Sequence, residues 1–381
     1  MKKLGFGLMR LPVLNGNQEE IDLEQVREMA DLFLENGFTY FDTSFVYHNG
    51  QSEHALRQAV GERHPRDSFT IATKFPTFAV QTEEQAEDIF AQQLTKLGTD
   101  YVDYYLLHTL NRKFYNGVDG KGGVVKTCHL FDHARKWRDD GKIRHMGFSF
   151  HDSPELLDQI LTENPDVEFV QIILNYFDWN SYFIQSKGCY DVIRAHGKQV
   201  VVMEPVKGGV LAQVPQTAEE QMRKAAPDVS PASWAVRYAA GKEGVLTVLS
   251  GMSNLVQMRD NVSAMKGFTP LSGQEETMLA EIAGHIKEGG PVGTADYRPY
   301  ESVSYHGISA AALLDSYNSC MVQPNPGFAG ELNYLANELL KQGVTNLKQP
   351  FPEETVTLDG RDITPQVKEA WDFLTAHSFA L

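Results

Sequence analysis

Apolar and polar positions along the chain follow two periods that take turns, one near 3.6 and one near 2. In "DLEQVREMADLFLENG" the apolar residues Leu23, Val26, Met29, Ala30 and Phe33 fall at helical spacing and stop at Gly37, which predicts a helix ended by glycine. "LGFGLM" before it and "FTYFDT" after it are short strand-like apolar runs. "SEHALRQAVG" then predicts a helix opened by a serine cap, and "FTIATKF" a strand. The helix "TEEQAEDIFAQQLTKLG" begins with Thr82 and Gln85, which fit a capping box. Strand "VDYYLLH", helix "LFDHARKWRDDGK", strand "IRHMGFS" and helix "SPELLDQILTEN", with Pro154 in its first turn, continue the series. "EFVQIIL", the mostly helical "SYFIQSKGCYDVIRAHG", "QVVVMEP", two further helical stretches and "GVLTVLSG" complete it, with a last helix from about Asn254 to Met265.

Strands that nearly all lead into helices imply parallel pairing through helical crossovers. Eight such units over the first part of the chain predict an α/β fold, a (β/α)8 TIM barrel of about 250 residues, here placed at residues 1–268. A doubly wound open sheet competes, but it would carry a GxGxxG turn after the first strand, and "GFGLMR" lacks that motif. After the fourth strand, "TLNRKFYNGVDGKGGVVKTC" predicts a long structureless loop, either a functional lid or a solvated insertion. Past Pro270 the alternation stops, and residues 269–381 are expected to form a mainly helical C-terminal extension.

Composition narrows the function. With 42% apolar residues in 381, the chain can bury a large core. Its net charge of -16 disfavours nucleic-acid and anionic-membrane partners. Cys128, Cys189 and Cys320 form no CxxC, which argues against a disulfide framework and fits a reducing, cytoplasmic setting. The opening "MKKLGFGLMRLP" is interrupted by glycines, Arg10 and Pro12, unlike the ~7–15-residue apolar core of a signal peptide. No segment approaches the ~18 uninterrupted apolar residues of a membrane span.

In a parallel barrel the C-terminal strand ends converge on one mouth, where the chemistry of such enzymes sits. There the second strand delivers Asp42 and, just beyond it, Tyr47; the third delivers Lys74; the fourth delivers His108. Each has a plain structural reading: a capping acid, a packing phenol, a lysine reaching for water, a hydrogen-bonded imidazole. Together they suit carbonyl reduction. A phenol can protonate a nascent alkoxide, but its ordinary pKa of ~10 makes it reluctant. A nearby ammonium makes it more acidic, a carboxylate keeps that ammonium charged, and an imidazole can hold the reacting oxygen.

"FDTSFVYHNGQSE", "IATKF" and "DYYLLH" resemble the aldo-keto reductase family, over residues 1 to about 268. The resemblance implies a (β/α)8 barrel, carbonyl–alcohol interconversion, and a nicotinamide cofactor, NADP(H) by family habit with NAD(H) as the alternative. It implies cofactor contacts from Gly7, Leu8, Met9, Arg10 and Asp42, with Ser149 and Gln171 binding the carboxamide. "VMEPVKGGVL" matches the segment over the nicotinamide and pyrophosphate, through Met203, Pro205, Val206, Gly208 and Leu211; Met203 stands where many members have a stacking tyrosine. "SGMSNLVQMRDN" matches the adenosine-phosphate clamp, through Gly251, Met252, Ser253, Gln257 and Asn261, with Ser253 at a helix start. Gln257 aligns with a position often held by a basic residue that binds the 2′-phosphate, which moves the balance toward NAD(H).

The tail segment "TADYRPYESVSYHGISAAALLDSYN" resembles a ferredoxin-like extension found in a subset of these reductases. Its cysteine positions would be Ala295, Arg298, Glu301 and Ser304, none of which supplies a thiolate, so no iron–sulfur cluster is expected. An unrelated helical tail is the alternative. Expected substrate walls are Val46, Tyr47, His48, the 109–128 stretch, His151, Tyr176, Phe177 and Trp179, for a small-molecule carbonyl or alcohol that the sequence does not name. Two other readings stand beside this one: a non-catalytic, nucleotide-binding reductase-like subunit, and a barrel metallohydrolase using His108 and Asp42, although no HxH or paired-carboxylate cluster completes a site. The sequence leaves the oligomeric state open.

Overall fold

The computed structural model of the chain describes residues 2–117, 122–323, 326, 334–344, 346 and 348–377. Eight parallel strands close into a barrel in sequential order, the last pairing with the first. They are β1 (Leu4–Gly7), β2 (Tyr40–Asp42), β3 (Thr70–Pro76), β4 (Val102–Leu110), β5 (Ile143–Phe150), β6 (Phe169–Ile173), β7 (Gln199–Met203) and β8 (Val245–Ser250). Between and after them run α1 (Leu23–Glu35), α2 (Ser52–Leu56), α3 (Glu83–Leu97), α4 (Arg112–Asn116), α5 (Val124–Thr127), α6 (Leu130–Asp139), α7 (Pro154–Glu163), α8 (Ser186–Ala195), α9 (Gln216–Ala225), α10 (Pro231–Gly241) and α11 (Leu255–Lys266). The alternation thus becomes the predicted (β/α)8 barrel.

Local signals hold at several joints. Asp22 caps α1 by accepting the Gln25 N–H, and Thr82 and Gln85 form the reciprocal capping box of α3. Two expectations need correction. Ser52 is the first residue of α2, not its cap: its buried hydroxyl pairs with Thr43 Oγ1 at 2.8 Å and donates to the Leu8 carbonyl, so it ties the helix to the ends of β1 and β2. The stretch after β4 is not structureless. Asn111 accepts the Phe114 N–H to cap α4, and burial of Phe114 and Tyr115 makes that short helix worth forming.

The barrel interior is plugged by one side chain from most strands: Tyr40, Ala72, Leu106, Phe169, Val201 and Leu249. Where β1 and β5 pass this plug they carry Gly5 and Gly147. A Cβ on Gly5 would lie 2.8 Å from Leu249 Cδ2, and one on Gly147 would lie 2.5 Å from the Phe169 carbonyl oxygen. At Gly147 the obstacle is backbone, so only glycine fits there, whereas at Gly5 it is the end of the Leu249 side chain.

The chain divides into two compact units, the first being Met1–Asn175, Gly188–Lys207 and Asp228–Leu271. The second comprises Tyr176–Lys187, Gly208–Pro227 and Ser272–Leu381. Its core joins α13 (Ala310–Met321) and helices Tyr334–Lys341 and Thr364–Ala376 through residues such as Leu313, Tyr317, Leu335 and Trp371, and α12 (Gly273–Glu288) is tied to α13 through Lys287. A buried polar hub lies inside it: Asp315 receives Lys287 Nζ at 2.9 Å, Ser181 Oγ at 2.6 Å and the Tyr182 N–H at 2.9 Å. The segment that follows β6 is therefore part of the extension's own fold. Among the described residues, no helix is long and apolar enough to cross a membrane.

Candidate active site

The site follows from strand periodicity. Side chains two residues apart share one face of a strand. Stepping two residues toward the C-terminal end from each plug residue gives Asp42 from Tyr40, Lys74 from Ala72, His108 from Leu106, Gln171 from Phe169, Met203 from Val201 and Gly251 from Leu249. The same step from Gly5 and Gly147 gives Gly7 and Ser149. The polar layer at the mouth is thus the next interior layer above the hydrophobic plug. Register pairs Gly7 with Asp42 and Ser149 with Gln171; at other joints it is offset by one interior position, with Asp42 opposite Ala72, Lys74 opposite Leu106 and Gln171 opposite Val201.

Lys74 is fully buried and spends its ammonium on two partners, Asp42 Oδ1 at 2.5 Å and the Thr43 carbonyl at 2.8 Å. Its Nζ lies 4.8 Å from the centroid of the Tyr47 ring. Tyr47 stands on a tight turn in which His48 and Asn49 adopt left-handed backbone conformations, with φ of 52° and 51°. His48 anchors that turn: Nε2 accepts the Leu11 N–H at 3.1 Å and Nδ1 donates to the Gln18 carbonyl. Expected as a pocket wall, His48 is packing instead, because both ring nitrogens are committed to backbone.

The His108 ring lies edge-on to Tyr47, centroids 6.0 Å apart, with Nδ1 3.3 Å from Ser44 Oγ. Burial first, then Lys74 and His151, hold His108 well below the ordinary imidazole range, so it is neutral at pH 7. Burial alone pushes His151 down to about 4. For Lys74, burial opposes the charge, but Asp42 and Tyr47 outweigh it and the pKa rises. Burial raises the Asp42 carboxyl above its usual value, and Lys74 works against that rise. Tyr47 departs from the expectation of an acidic phenol. Lys74 does pull its pKa down, but burial is the larger effect and the net shift is upward.

Two buried acceptors in the mouth layer have no hydrogen-bond partner among the described residues: Asp42 Oδ2 and Gln171 Oε1. Gln171 Nε2 meets Met203 Sδ at 3.4 Å, and Ser149 Oγ accepts the Thr109 N–H. Pro205 and Val206 follow β7 after Glu204. Met9, 51% exposed, and Arg10 lie just past β1, and the Arg10 stem lies where a side chain on Gly251 would be. Met252 is buried. Ser253 precedes the helix; the N-cap of α11 is Asn254, and the Ser253 N–H is taken by Gln257 Oε1 at 2.7 Å. The Asn261 side chain is buried with Oδ1 lacking a partner among the described residues. Gly208, Leu211, Tyr176 and Trp179 fall in the second compact unit.

Sequence reasoning passed over Phe78. It is 45% exposed, with its ring 5.9 Å from His108 and 6.5 Å from Phe114. Its signal was a lone aromatic in the turn "PTFA" at the end of β3. Ser44, Glu53 and Gln93 were also missed, because polar residues inside apolar patterns look like ordinary caps or surface positions. Among the described residues no group of three or more His, Cys, Asp or Glu could hold a metal ion, which leaves the metallohydrolase reading without a ligand set there.

The sequence model of the aldo/keto reductase family matches residues 3–283. The chain is 22% identical over 294 residues to the "Uncharacterized oxidoreductase YqkF" of Bacillus subtilis, covering 69% of this chain and 87% of that protein. It is 24% identical over 300 residues to L-galactose dehydrogenase of Arabidopsis thaliana, covering 73% and 88%. Among solved structures, the holo form of a Bacillus halodurans aldo-keto reductase aligns with a TM-score of 0.57 at 23% identity, over 74% of this chain and 91% of that one. A Klebsiella pneumoniae aldo-keto reductase in complex with NADPH aligns with a TM-score of 0.56 at 19% identity, over 74% and 90%.

Proposed function

The chain belongs to the aldo/keto reductase family of NAD(P)-dependent oxidoreductases, and from that premise we propose that Tyr47 is the general acid/base of carbonyl–alcohol interconversion at this mouth, tuned by Lys74 and Asp42, with His108 orienting the substrate oxygen. The observation that carries this reading is the Asp42–Lys74 contact of 2.5 Å beneath the Tyr47 ring, with the His108 ring edge-on to that phenol. A buried ion pair often stabilises a fold no better than apolar packing would, so its presence here points to a use for the charge.

In reduction, Tyr47 gives its proton to the developing alkoxide and the resulting phenolate faces the Lys74 ammonium. At ~4 Å and an effective dielectric of ~20 that attraction is roughly 4 kcal/mol, which offsets much of the burial that keeps the phenol protonated. Neutral His108 donates through Nε2–H to the substrate oxygen, in the tautomer whose bare Nδ1 accepts the Ser44 hydroxyl.

The residues fit a nicotinamide cofactor. Gln171 Oε1 and Asp42 Oδ2 are buried acceptors suited to carboxamide and ribose donors. Met203 offers a soft, polarizable face for the ring, and Asn261 an acceptor for the adenine end. Bound there, the cofactor supplies or accepts the hydride. NADP(H) comes first, supported by the Klebsiella pneumoniae structures in complex with NADPH and NADP, with NAD(H) second because Gln257 carries no charge. The extension is read as cluster-free: at its four candidate positions Arg298 pairs with Asp296, Glu301 accepts the Tyr182 hydroxyl, and Ala295 and Ser304 offer no thiolate.

The direct test is NADPH titration followed by single-turnover oxidation across a carbonyl panel. Binding with oxidation is expected; binding without oxidation on every member would favour the non-catalytic subunit. Within that panel, Phe78→Ala is expected to raise KM by roughly two- to tenfold for aromatic carbonyls and little for small aliphatic ones, since a ring contact contributes about 0.5–1.5 kcal/mol. Equal KM changes for both classes would remove Phe78 from the substrate wall.

A further inference from the structure

We infer that Glu53 and Gln93 are positioning residues that hold the Lys74 ammonium in place from behind, through the Lys74 peptide. The inference rests on the catalytic reading above. Both side chains are fully buried and neither touches Asp42, Tyr47 or His108 through a hydrogen bond. Glu53 Oε1 accepts from Thr73 Oγ1 at 2.7 Å and from Gln93 Nε2 at 2.8 Å. The Gln93 amide also reaches the Lys74 carbonyl at 3.1 Å and Thr73 Oγ1 at 3.2 Å. Its Oε1 in turn accepts the Tyr105 hydroxyl at 2.5 Å. Thr73 and Tyr105 alternate with the inward-facing Ala72, Lys74 and Leu106, so this brace sits on the outer face of β3 and β4, against α2 and α3.

A purely packing role calls for apolar side chains at such positions, because burying an amide and a carboxyl costs free energy that only well-made hydrogen bonds offset. The brace has a use that packing does not. A lysine side chain is a long flexible stem. Asp42 and Thr43 pin its ammonium end, and Gln93 pins its peptide end. With both ends fixed, the ammonium stays under the Tyr47 ring when the phenol gains or loses its proton. The charged and titratable groups facing Glu53 are Lys96, 3.8 Å from Oε2, with Lys74 and Tyr105. Those facing Tyr47 are Lys74, Asp42, Glu204 and the His108 ring.

The test is Gln93→Leu in the full-length protein, with kcat, KM and NADPH affinity measured across pH in the reduction direction. Loss of the brace is expected to lower kcat by on the order of 10- to 100-fold, with KM and NADPH affinity within about twofold. It is also expected to move the alkaline limb of kcat to higher pH. A loosely held ammonium pulls the Tyr47 phenol down less, burial then pushes its pKa further up, and the acid form survives to higher pH. Tyr105→Phe, which removes one anchor of Gln93 with little change in shape, is expected to shift the limb the same way by less. Glu53→Gln keeps the acceptor oxygen and is expected to retain most of the turnover that Glu53→Leu loses.

A limb that stays put in both Gln93→Leu and Tyr105→Phe overturns the inference, whatever happens to stability. Tyr47→Phe separates the two levels of the argument. If the limb persists in Tyr47→Phe, the catalytic reading itself fails. If it vanishes there but does not move in the brace variants, only the brace fails.

Discussion

Tyr47→Phe is expected to lower turnover by on the order of 10²–10⁴-fold, the usual worth of a positioned proton donor, with NADPH affinity staying within about twofold. The substitution removes one oxygen and leaves the ring on its turn, which is set by His48 and its two backbone partners. What is lost is the proton and the phenolate that Lys74 faces. The pH behaviour has a definite sign. Burial lifts the Tyr47 pKa above its ordinary value, with Lys74 only partly offsetting it, so the phenol is protonated at neutral pH. Reduction, which consumes that proton, is therefore fast below the pKa and falls as pH rises through it. Oxidation needs the phenolate and rises over the same interval. In Tyr47→Phe both limbs should flatten into a slow, pH-insensitive residue. Single-turnover rates in both directions read this out, and unchanged turnover would end the general-acid assignment.

Much of this site was legible in the sequence, for one physical reason. A parallel barrel turns chain order into geometry: successive strands are neighbours, and residues two apart share a face. Asp42, Lys74 and His108 could therefore be placed at one mouth from strand ends alone, and in the structure Lys74 meets Asp42 and both Lys74 and the His108 ring lie against Tyr47. Other features depended on contacts that no short window contains. Ser52 looked like a cap because serine often is one, but its hydroxyl is drawn to Thr43 and Leu8 across the strand ends. Gln93 lies on an amphipathic helix, where a glutamine reads as surface, yet it faces the strand layer. The segment from Tyr176 to Lys187 follows β6 in sequence but is bound into the extension's unit by Asp315, a residue far along the chain. The direction of the Tyr47 shift was equally hidden. Charge types can be read from a sequence, but the burial that outweighs them requires the packed structure.

The largest stability effect should come from splitting the buried pair. Lys74→Met leaves the Asp42 carboxyl fully inside the barrel with no ammonium, and Asp42→Leu leaves an ammonium with only the Thr43 carbonyl. Either change is expected to cost about 3–5 kcal/mol by urea denaturation, the usual penalty for orphaning a buried charge. Changing both together removes both charges, and what remains is mainly the Thr43 carbonyl without its donor, about 1–3 kcal/mol. The double variant should therefore be more stable than either single one, with an interaction energy of opposite sign to the single effects. Lys74→Met also has a pH signature. Burial already raises Asp42, and without Lys74 nothing opposes that rise, so its folded pKa lies further above the unfolded one. Stability then falls as pH rises through the folded value and recovers below the unfolded value of ~3.9, where the carboxyl is neutral in both states. Turnover should follow a different rule: all three variants are expected to be slow, because none presents an ammonium held beneath the Tyr47 phenol. Recovery of stability without recovery of rate would show that the pair is retained for catalysis at the expense of stability. If the double variant proved as unstable as the two single losses added together, the pair would be ordinary packing, and the electrostatic account of Tyr47 would lose its basis.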